Sequence, residues 1–275
     1  MCEVFELIRS KYYQWLQNPI SKRKKKDEIL ESKIRIIHNK SNKRYGSPRI
    51  HAELQANGEG VSRKRVARIM KENKIISISK KKFKATTNSK HSFPVCPNLL
   101  NQNFEVENPN QAWVGDITYI STAKGWLYLA TVIDLFSRMV VGWAVSERMT
   151  TDLVEKAFLR AYWKRKPENR LIFHSDRGSQ YASHSYQQLL KTLKVNQSMS
   201  AKGNCYDNAV AESFFGKLKT EFINHEKFNS RKEAKSGIFD YIEIFYNRER
   251  KHSTLNYLSP LLFEEYHYIS KKFVS

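Results

Sequence analysis

The pattern of apolar and polar positions predicts a β-sheet in the second half of the chain. Three consecutive segments, residues 112–120, 125–134 and 138–146, are rich in β-branched and aromatic residues and are joined by connections of a few residues. This spacing is typical of strands that form an antiparallel meander. A helix is predicted over about 151–165, where apolar residues recur on one side, and a short apolar run at 170–175 predicts a buried strand.

The elements that follow predict an alternating order. They are a helix over about 184–194, a weak fifth strand over 195–200, a long helix from near Asp207, which we interpret as its N-cap, and an amphipathic helix over about 231–247. The order βββαβαβα predicts an α/β fold in which a mixed five-stranded sheet has helices on both faces. The first and fourth strands can then lie side by side and parallel, so that their ends carry neighbouring side chains.

The first third of the chain has the pattern of a small all-α helix-turn-helix domain. Residues 27–39 have apolar positions near helical period, and residues 44–75 contain two short predicted helices separated by glycines. Ser62 is the predicted N-cap of the second helix, residues 63–73, which is strongly basic. We predict that this helix contacts DNA; the alternative is a helical domain with a solvated basic face. The candidate DNA-contacting residues are Arg63, Lys64, Arg65 and Arg68.

The charge of the chain points to a polyanionic partner. The 275 residues have a net charge of +21, and residues 1–100 alone hold 24 Lys and Arg against 8 Asp and Glu. Residues 101–275 hold 24 against 19, which is close to balance. Nucleic acid is the leading candidate for the partner, because neutralised phosphates release counterions. The alternative is a charge that serves general solubility.

Composition disfavours several other classes of protein. No uninterrupted apolar run approaches the ~20 residues that span a bilayer. The N-terminal segment lacks the pattern of a signal peptide, so we expect a cytoplasmic protein without membrane contact. Cys2, Cys96 and Cys205 lie far apart, which argues against a disulfide framework or a cysteine-based zinc site.

Three separated acids form the candidate site. Asp116 lies in the middle of an otherwise apolar and aromatic strand, Asp176 ends the fourth strand, and Glu212 lies one turn into the long helix. A buried carboxylate is costly unless it is paired or binds a metal. On the predicted topology the three carboxylates converge, and their hard oxygen ligands suit Mg²⁺ or Mn²⁺. Two such ions about 4 Å apart support in-line displacement at phosphorus. Three unrelated acids are the alternative that spacing alone leaves open.

Neighbouring residues have competing interpretations. Asp134 closes the second strand as a turn or structural acid, and Glu221 lies on the helix face opposite Glu212. Lys219 shares the face of Glu212, where it would hold a DNA phosphate or remain an exposed helix lysine. His174 and Arg177 flank Asp176 and either orient it, touch phosphate or pack in the loop. The three strand tryptophans are predicted to be core residues rather than base-stacking residues: Trp113, Trp126 and Trp143.

At these residues the sequence closely resembles the OrfB transposases of the insertion sequence 3 family, relatives of retroviral integrases. The resemblance covers most of the chain from about residue 40 to 265, and the two aspartates, the glutamate and the lysine seven residues later match together. The matching segments are WVGDITYI, YLATVIDLFSRMVVGW, HSDRGSQYAS, SMSAKGNCYDNAVAESFFGKLKTE and YNRERKHSTLNYLSP, with YGSPRIHAELQANG in the helix-turn-helix segment.

The resemblance implies an RNase H-like core in which Asp116, Asp176 and Glu212 hold two divalent ions, Mg²⁺ or Mn²⁺. It also implies a DNA contact at Lys219. It implies two steps, cleavage that frees a 3′-OH at the transposon end and strand transfer by that 3′-OH. The expected partners are double-stranded DNA of the terminal inverted repeats and of the target, further copies of the chain in a homo-multimer, and an upstream OrfA protein as a partner or fusion. Such work on DNA implies association with the bacterial nucleoid.

Four regions are therefore expected. They are a helical N-terminal region at 1–80 with a helix-turn-helix at about 44–75, a basic linker at 81–105, an RNase H-like integrase catalytic core at 106–225, and a C-terminal helical extension at 226–275. Retroviral integrases carry a zinc domain, but no cysteines lie near His38 and His51, so we predict no zinc. Two alternatives remain: a transposase-derived DNA-binding protein without catalysis, and an RNase H-like structure-specific nuclease.

Overall fold

The computed structural model describes residues 5, 8–17, 20–78, 96–101, 106–168, 170–201 and 208–274. For residues 273 and 274 this description covers the backbone only. The chain divides into two compact units, Met1–Ser79 and Lys80–Ser275. Most of the predicted linker, the predicted N-cap Asp207, and Cys2 and Cys205 lie outside the described residues. No helix in the described ranges has the length and hydropathy to cross a membrane.

The first unit is all-helical, as predicted. Its helices are α1 (Arg9–Gln17), α2 (Lys22–Lys40), α3 (Ser47–Ala56) and α4 (Arg63–Glu72). Ser62 is the N-cap of α4, because its hydroxyl accepts a hydrogen bond from the Arg65 backbone N–H at 3.3 Å. α1 buries no residue. α2, α3 and α4 bury one apolar stripe each, and together these form the small core: Leu30, Ile34, Ile50, Leu54, Val66, Ile69 and Met70.

The second unit is built on a mixed five-stranded sheet with the order β3-β2-β1-β4-β5. The strands are β1 (Ala112–Thr122), β2 (Gly125–Asp134), β3 (Val140–Ser146), β4 (Ile172–Ser175) and β5 (Asn196–Met199). β1, β2 and β3 form the predicted antiparallel meander, and β4 pairs with β1 and β5 in parallel. The predicted α/β fold with an RNase H-like mixed sheet is confirmed.

Six α-helices accompany the sheet within the described residues. They are α5 (Thr151–Arg165), α6 (Ser179–Ala182), α7 (His184–Thr192), α8 (Ala209–Glu221), α9 (Arg231–Phe239) and α10 (Pro260–Val274). The sequence predicted α5, α7, α8 and the start of α9 individually, α10 only as part of a helical extension, and α6 not at all. α5 packs against β2 and β3, and Gly142 allows this close approach, since an added Cβ would lie 2.5 Å from the Ala157 carbonyl oxygen. α10 is tied to α5 by the ion pair of Arg165 and Glu264 at 2.8 Å.

The predicted helix over 231–247 differs from the structure. α9 ends at Phe239, and the chain continues as a π-helical segment, Asp240–Glu249. This segment packs on the edge strand β3, where the Asn247 amide donates to the Val140 carbonyl and accepts from the Val140 N–H, each at 3.0 Å. The contact satisfies backbone groups that an edge strand otherwise leaves open, and helical periodicity alone does not encode it.

Candidate active site

Strand pairing brings the two aspartates together. The parallel register of β1 and β4 runs from Ala112 opposite Ile172 to Gly115 opposite Ser175. Asp116 and Asp176 are the next residues after these two, so both lie directly beyond the same end of the β1–β4 pairing. Gly115 permits this pairing, because a Cβ there would lie 2.4 Å from the Phe173 ring.

Backbone N–H groups orient both aspartates. The Ile117 N–H donates to Asp116 Oδ1 at 2.7 Å, and the Gly178 N–H donates to Asp176 Oδ1 at 2.9 Å. A Cβ on Gly178 would lie 3.0 Å from that same Asp176 oxygen, so glycine fits this turn best. Both carboxylates are half-buried.

A buried network supports the Asp176 loop from behind. His174 is fully buried, with its ring nitrogens 2.8 Å from Ser198 Oγ and 3.3 Å from Ser200 Oγ. The Arg177 Nε–H donates to the Ser200 carbonyl at 2.6 Å. These contacts pack His174 and Arg177 against β5 and the residue after it, and the three roles that the sequence left open for them stay predictions.

Glu212 lies on α8, which packs against β1. Its side chain is exposed, but burial of part of it and the negative charge of Asp176 raise its pKa above the ordinary value. The pKa of Asp116 is raised more strongly, chiefly because the carboxyl is desolvated, then because Asp176 and Glu212 repel its charge. The three acids therefore share one electrostatic environment.

Lys219 provides a positive charge beside these acids. Its pKa is lowered because burial penalises the ammonium, while Asp116 opposes that effect. Its Nζ lies 4.9 Å from the centroid of the Tyr119 ring, a cation–π distance. The sequence did not predict the contact with Tyr119, because the alternation of side chains along a strand does not indicate which helix residue will lie against it.

The donor set fits a hard divalent cation. The charge of Asp176 raises the pKa of both Asp116 and Glu212, so added positive charge would stabilise this cluster, and oxygen ligands suit Mg²⁺ or Mn²⁺. As the side chains stand, no group of three or more His, Cys, Asp or Glu residues within the described part of the chain forms a metal-binding cluster. The residues thus have the right chemistry without a closed set of ligands.

The other acids have structural partners. Asp134 is fully buried and accepts hydrogen bonds from the backbone N–H groups of Asn110 and Phe136 and from Trp113 Nε1. Glu221 is buried and pairs with Arg250 at 2.6 Å. The sequence predicted that Glu221 faces away from Glu212, and these contacts agree. Arg250 lies in a segment recognised from the family resemblance, but its buried partner could not be read from the sequence.

The basic residues of α4 fall into two groups. Arg65 and Arg68 each pair with Asp27 of α2 at 2.7 Å, so they join two helices of the first unit. Arg63 and Lys64 are exposed. The structure therefore separates candidates that the sequence placed together.

The tryptophan prediction was correct for two of the three residues. Trp113 and Trp143 are buried, at 0% and 8% exposure, but Trp126 is 50% exposed. Near the tip of the β1–β2 hairpin, Thr118 and Ile120 lie on one face of β1 and are buried, while Ser121 lies on the other face and is exposed. Trp126, which pairs with Ser121, is therefore not a core residue.

The solved structures that align with this chain include two retroviral proteins. A simian T-cell lymphotropic virus intasome in complex with PP2A regulatory subunit B56 gamma aligns with a TM-score of 0.47 and 17% identity, covering 83% of this chain and 73% of that chain. The HTLV-2 integrase catalytic core domain in complex with magnesium aligns with a TM-score of 0.44 and 16% identity, covering 57% and 97%.

Sequence comparison assigns the family. Residues 106–205 and 193–260 match integrase core domains, and residues 24–83 match an HTH-like domain. An uncharacterized 31 kDa protein of insertion element IS600 from Shigella sonnei is 49% identical over 268 residues, which is 97% of this chain and 98% of that protein. Transposase InsF for insertion sequence IS3A from Escherichia coli (strain K12) is 45% identical over 96% of this chain and 92% of its own length. The chain belongs to the IS3 family of transposases.

Proposed function

We propose that this transposase cuts and joins DNA at the three carboxylates of Asp116, Asp176 and Glu212. An integrase core in an IS3-family transposase makes the chain a polynucleotidyl transferase that acts in DNA transposition. The observation that carries the assignment of the site is the register of β1 and β4, which end their pairing at Gly115 and Ser175. The shared electrostatics of the two aspartates and Glu212 support it.

The same carboxylates would hold Mg²⁺ or Mn²⁺, two ions in our proposal. Bound there, the ions supply activation of the attacking hydroxyl and stabilisation of the leaving oxygen. The Ile117 and Gly178 N–H groups each donate to one oxygen of an aspartate, which orients both carboxylates at the site. Lys219 neutralises a phosphate beside Asp116. No side chain of this site is assigned as a general base.

The reaction has two steps of the same kind. Water first attacks the phosphorus at the end of the element, forming one P–O bond as the bond to the 3′-oxygen breaks, which frees a 3′-OH. That 3′-OH then attacks a phosphodiester of the target, again exchanging one P–O bond for another. Neither step requires a covalent bond to the protein.

The first unit would select the DNA. In this proposal α3 and α4 bind the terminal inverted repeat, with Arg63 and Lys64 of α4 as the exposed contacts. Residues 81–105 act as a basic linker to a catalytic core of 106–225 and a helical extension of 226–275. Work on paired ends requires several copies of the chain on DNA at the nucleoid, with the upstream OrfA protein as a partner or fusion.

The test is an assay of cleavage and joining with labelled double-stranded ends of the element and Mg²⁺, using the chain alone and fused to its upstream partner. Asp116→Asn, Asp176→Asn and Glu212→Gln are each expected to abolish cleaved and joined products while DNA binding persists. Asp152→Asn is the matched control, because Asp152 is an exposed α5 acid paired with Lys156. Full activity in any of the three site variants would refute the assignment.

The same assay separates the two alternatives. Cleaved ends without joined products from the unmodified chain would favour a structure-specific nuclease. Binding without either product, alone and in the fusion, would favour a transposase-derived DNA-binding protein.

A further inference from the structure

Trp126 is an exposed tryptophan at the tip of the β1–β2 hairpin. It is on β2 directly after the hairpin turn and is 50% exposed. A single exposed apolar side chain is common on protein surfaces and carries no conclusion by itself. Its neighbours are what distinguish this tryptophan.

The Trp126 ring is held in place. It packs edge-to-face on Tyr119 of β1, with centroids 5.1 Å apart and an interplanar angle of 89°. The Arg231 Nε–H donates to the Trp126 carbonyl oxygen at 3.2 Å, and Arg231 also pairs with Glu147 at 3.1 Å. Because the ring and the backbone carbonyl both have partners, Trp126 loses less conformational entropy when a ligand binds.

Tyr119 connects this tryptophan to the acids. The Lys219 ammonium lies 4.9 Å from the Tyr119 ring centroid, and the same ammonium interacts with Asp116. In the β1–β2 register Trp126 is opposite Ser121, which lies five residues beyond Asp116, or about 16 Å along a strand. Because side chains alternate between the two faces of a strand, Tyr119 and Ser121 lie on the face of β1 opposite to Asp116. The Lys219 ammonium interacts with groups on both faces. We call Trp126, Tyr119 and Lys219 the aromatic strip.

We propose that the aromatic strip binds an unpaired base of the DNA end, stacked on Trp126, a few nucleotides from the phosphate that undergoes transfer. The proposal rests on the function proposed above. Lys219 gives the strip the positive charge that the backbone requires, and an indole ring offers a stacking face to any base. Bases inside a duplex have their faces covered by neighbours, so the ligand is a frayed or extruded base.

The experiment measures binding without chemistry. Two labelled DNA ends of equal length are compared in the absence of divalent ions, one fully paired and one with its last nucleotides mismatched, and dissociation constants are obtained from fluorescence anisotropy. The unmodified chain is expected to prefer the unpaired end. Trp126→Ala should weaken binding of that end by about 5- to 150-fold, the range for loss of one stacked base, and leave the paired end unchanged. Trp126→Phe should retain most of the preference.

Trp163 provides the matched control. It is 62% exposed on α5, and Trp163→Ala should change neither constant. The proposal is overturned if the unmodified chain shows no preference, if Trp126→Ala binds the unpaired end normally, or if it weakens both ends equally. Thermal unfolding of Trp126→Ala, expected to match that of the unmodified chain, excludes a folding defect.

The result is independent of the catalytic assignment. Asp116→Asn retains the strip and should keep the preference for unpaired ends. A lost preference in Trp126→Ala together with full transfer by Asp116→Asn would refute the catalytic assignment alone. An unchanged preference in Trp126→Ala with inactive acid variants would refute only the stacking proposal.

Discussion

At the scale of single residues, Asp116 combines two costs that a folded protein usually avoids. Its carboxyl is partly removed from water, and two like charges act on it. Both effects favour the protonated form and raise the pKa. A negatively charged Asp116 therefore destabilises the protein when no cation is bound.

Asp116→Asn is expected to stabilise the protein in the absence of divalent ions. The pKa of Asp116 in the folded state lies above the ordinary value of 3.8, so the folded state binds the proton more tightly and the free energy of unfolding falls as pH rises through that range. The asparagine amide does not ionise, so the variant does not lose this free energy of unfolding. Thermal unfolding at pH 7 in a chelator should show a midpoint about 2–4 °C higher, the shift that about 1 kcal/mol produces in a domain of this size.

The advantage of the variant should shrink as pH approaches 3.8, where both states of the unmodified protein become protonated. Added Mg²⁺ should raise the midpoint of the unmodified chain more than that of Asp116→Asn, because a ligand that binds only the folded state stabilises it. A lower midpoint for the variant at pH 7 would contradict this interpretation of the site.

At the scale of secondary-structure elements, α8 presents its two faces to different environments. Glu212 and Lys219 face the site, while Glu221 on the other face is 8% exposed and meets Arg250, which is 1% exposed. The Arg250 guanidinium donates to both Glu221 oxygens, at 2.8 and 2.6 Å, and the Tyr241 hydroxyl adds a third hydrogen bond at 2.9 Å. The end of α8 is thus fixed to the π-helical segment and the residues after it.

Arg250→Met is expected to destabilise the second unit by about 3–5 kcal/mol, because it leaves the Glu221 carboxylate buried without a countercharge. Adding Glu221→Gln removes that charge, so the double variant should recover much of the loss. Urea unfolding of both variants provides the measurement. The exposed pair of Lys156 and Asp152 is the control, since Lys156→Met should cost less than about 1 kcal/mol. Equal losses in the single and double variants would contradict the role of the ion pair.

At the scale of the whole molecule, positive charge is concentrated in the part that matches an HTH-like domain. Residues 1–100 hold 24 basic side chains against 8 acidic ones. The structure shows that these charges are not equivalent, because Asp27 holds Arg65 and Arg68 within the helical unit, while Arg63 and Lys64 face solvent. A basic side chain that is already paired with a carboxylate contributes less free energy to phosphate binding than an exposed one does.

The double variant Arg63→Ala and Lys64→Ala should weaken DNA binding and reduce the salt dependence of the binding constant. Each lost phosphate contact lowers the slope of log K against log salt by about 0.9, so a decrease of about 2 is expected. Affinities over a salt series give this slope. Arg65→Ala should instead lower the stability of the first unit, because it breaks a contact with Asp27. Lys156→Ala with Lys191→Ala, on the second unit, is the charge-matched control; an equal fall in slope there would contradict the assignment.

Local pattern determined much of this protein. The β-branched and aromatic segments across 112–146 predict three strands, the helical period of 63–73 predicts α4, and an aspartate inside an apolar strand marks Asp116 as a candidate ligand. The family resemblance identified the same acids, whose roles as ligands stay a prediction. These features are visible in the sequence because neighbouring residues on one element carry them.

Tertiary structure alone decided the contacts between distant segments. Trp126 is exposed because the packed helices bury the other face of the hairpin tip, Arg65 is engaged because Asp27 of α2 lies against it, and residues 240–249 are π-helical where Asn247 meets the open edge of β3. Periodicity tells which side of an element faces inward, but the partner that it meets there is selected by packing among residues far apart in the chain.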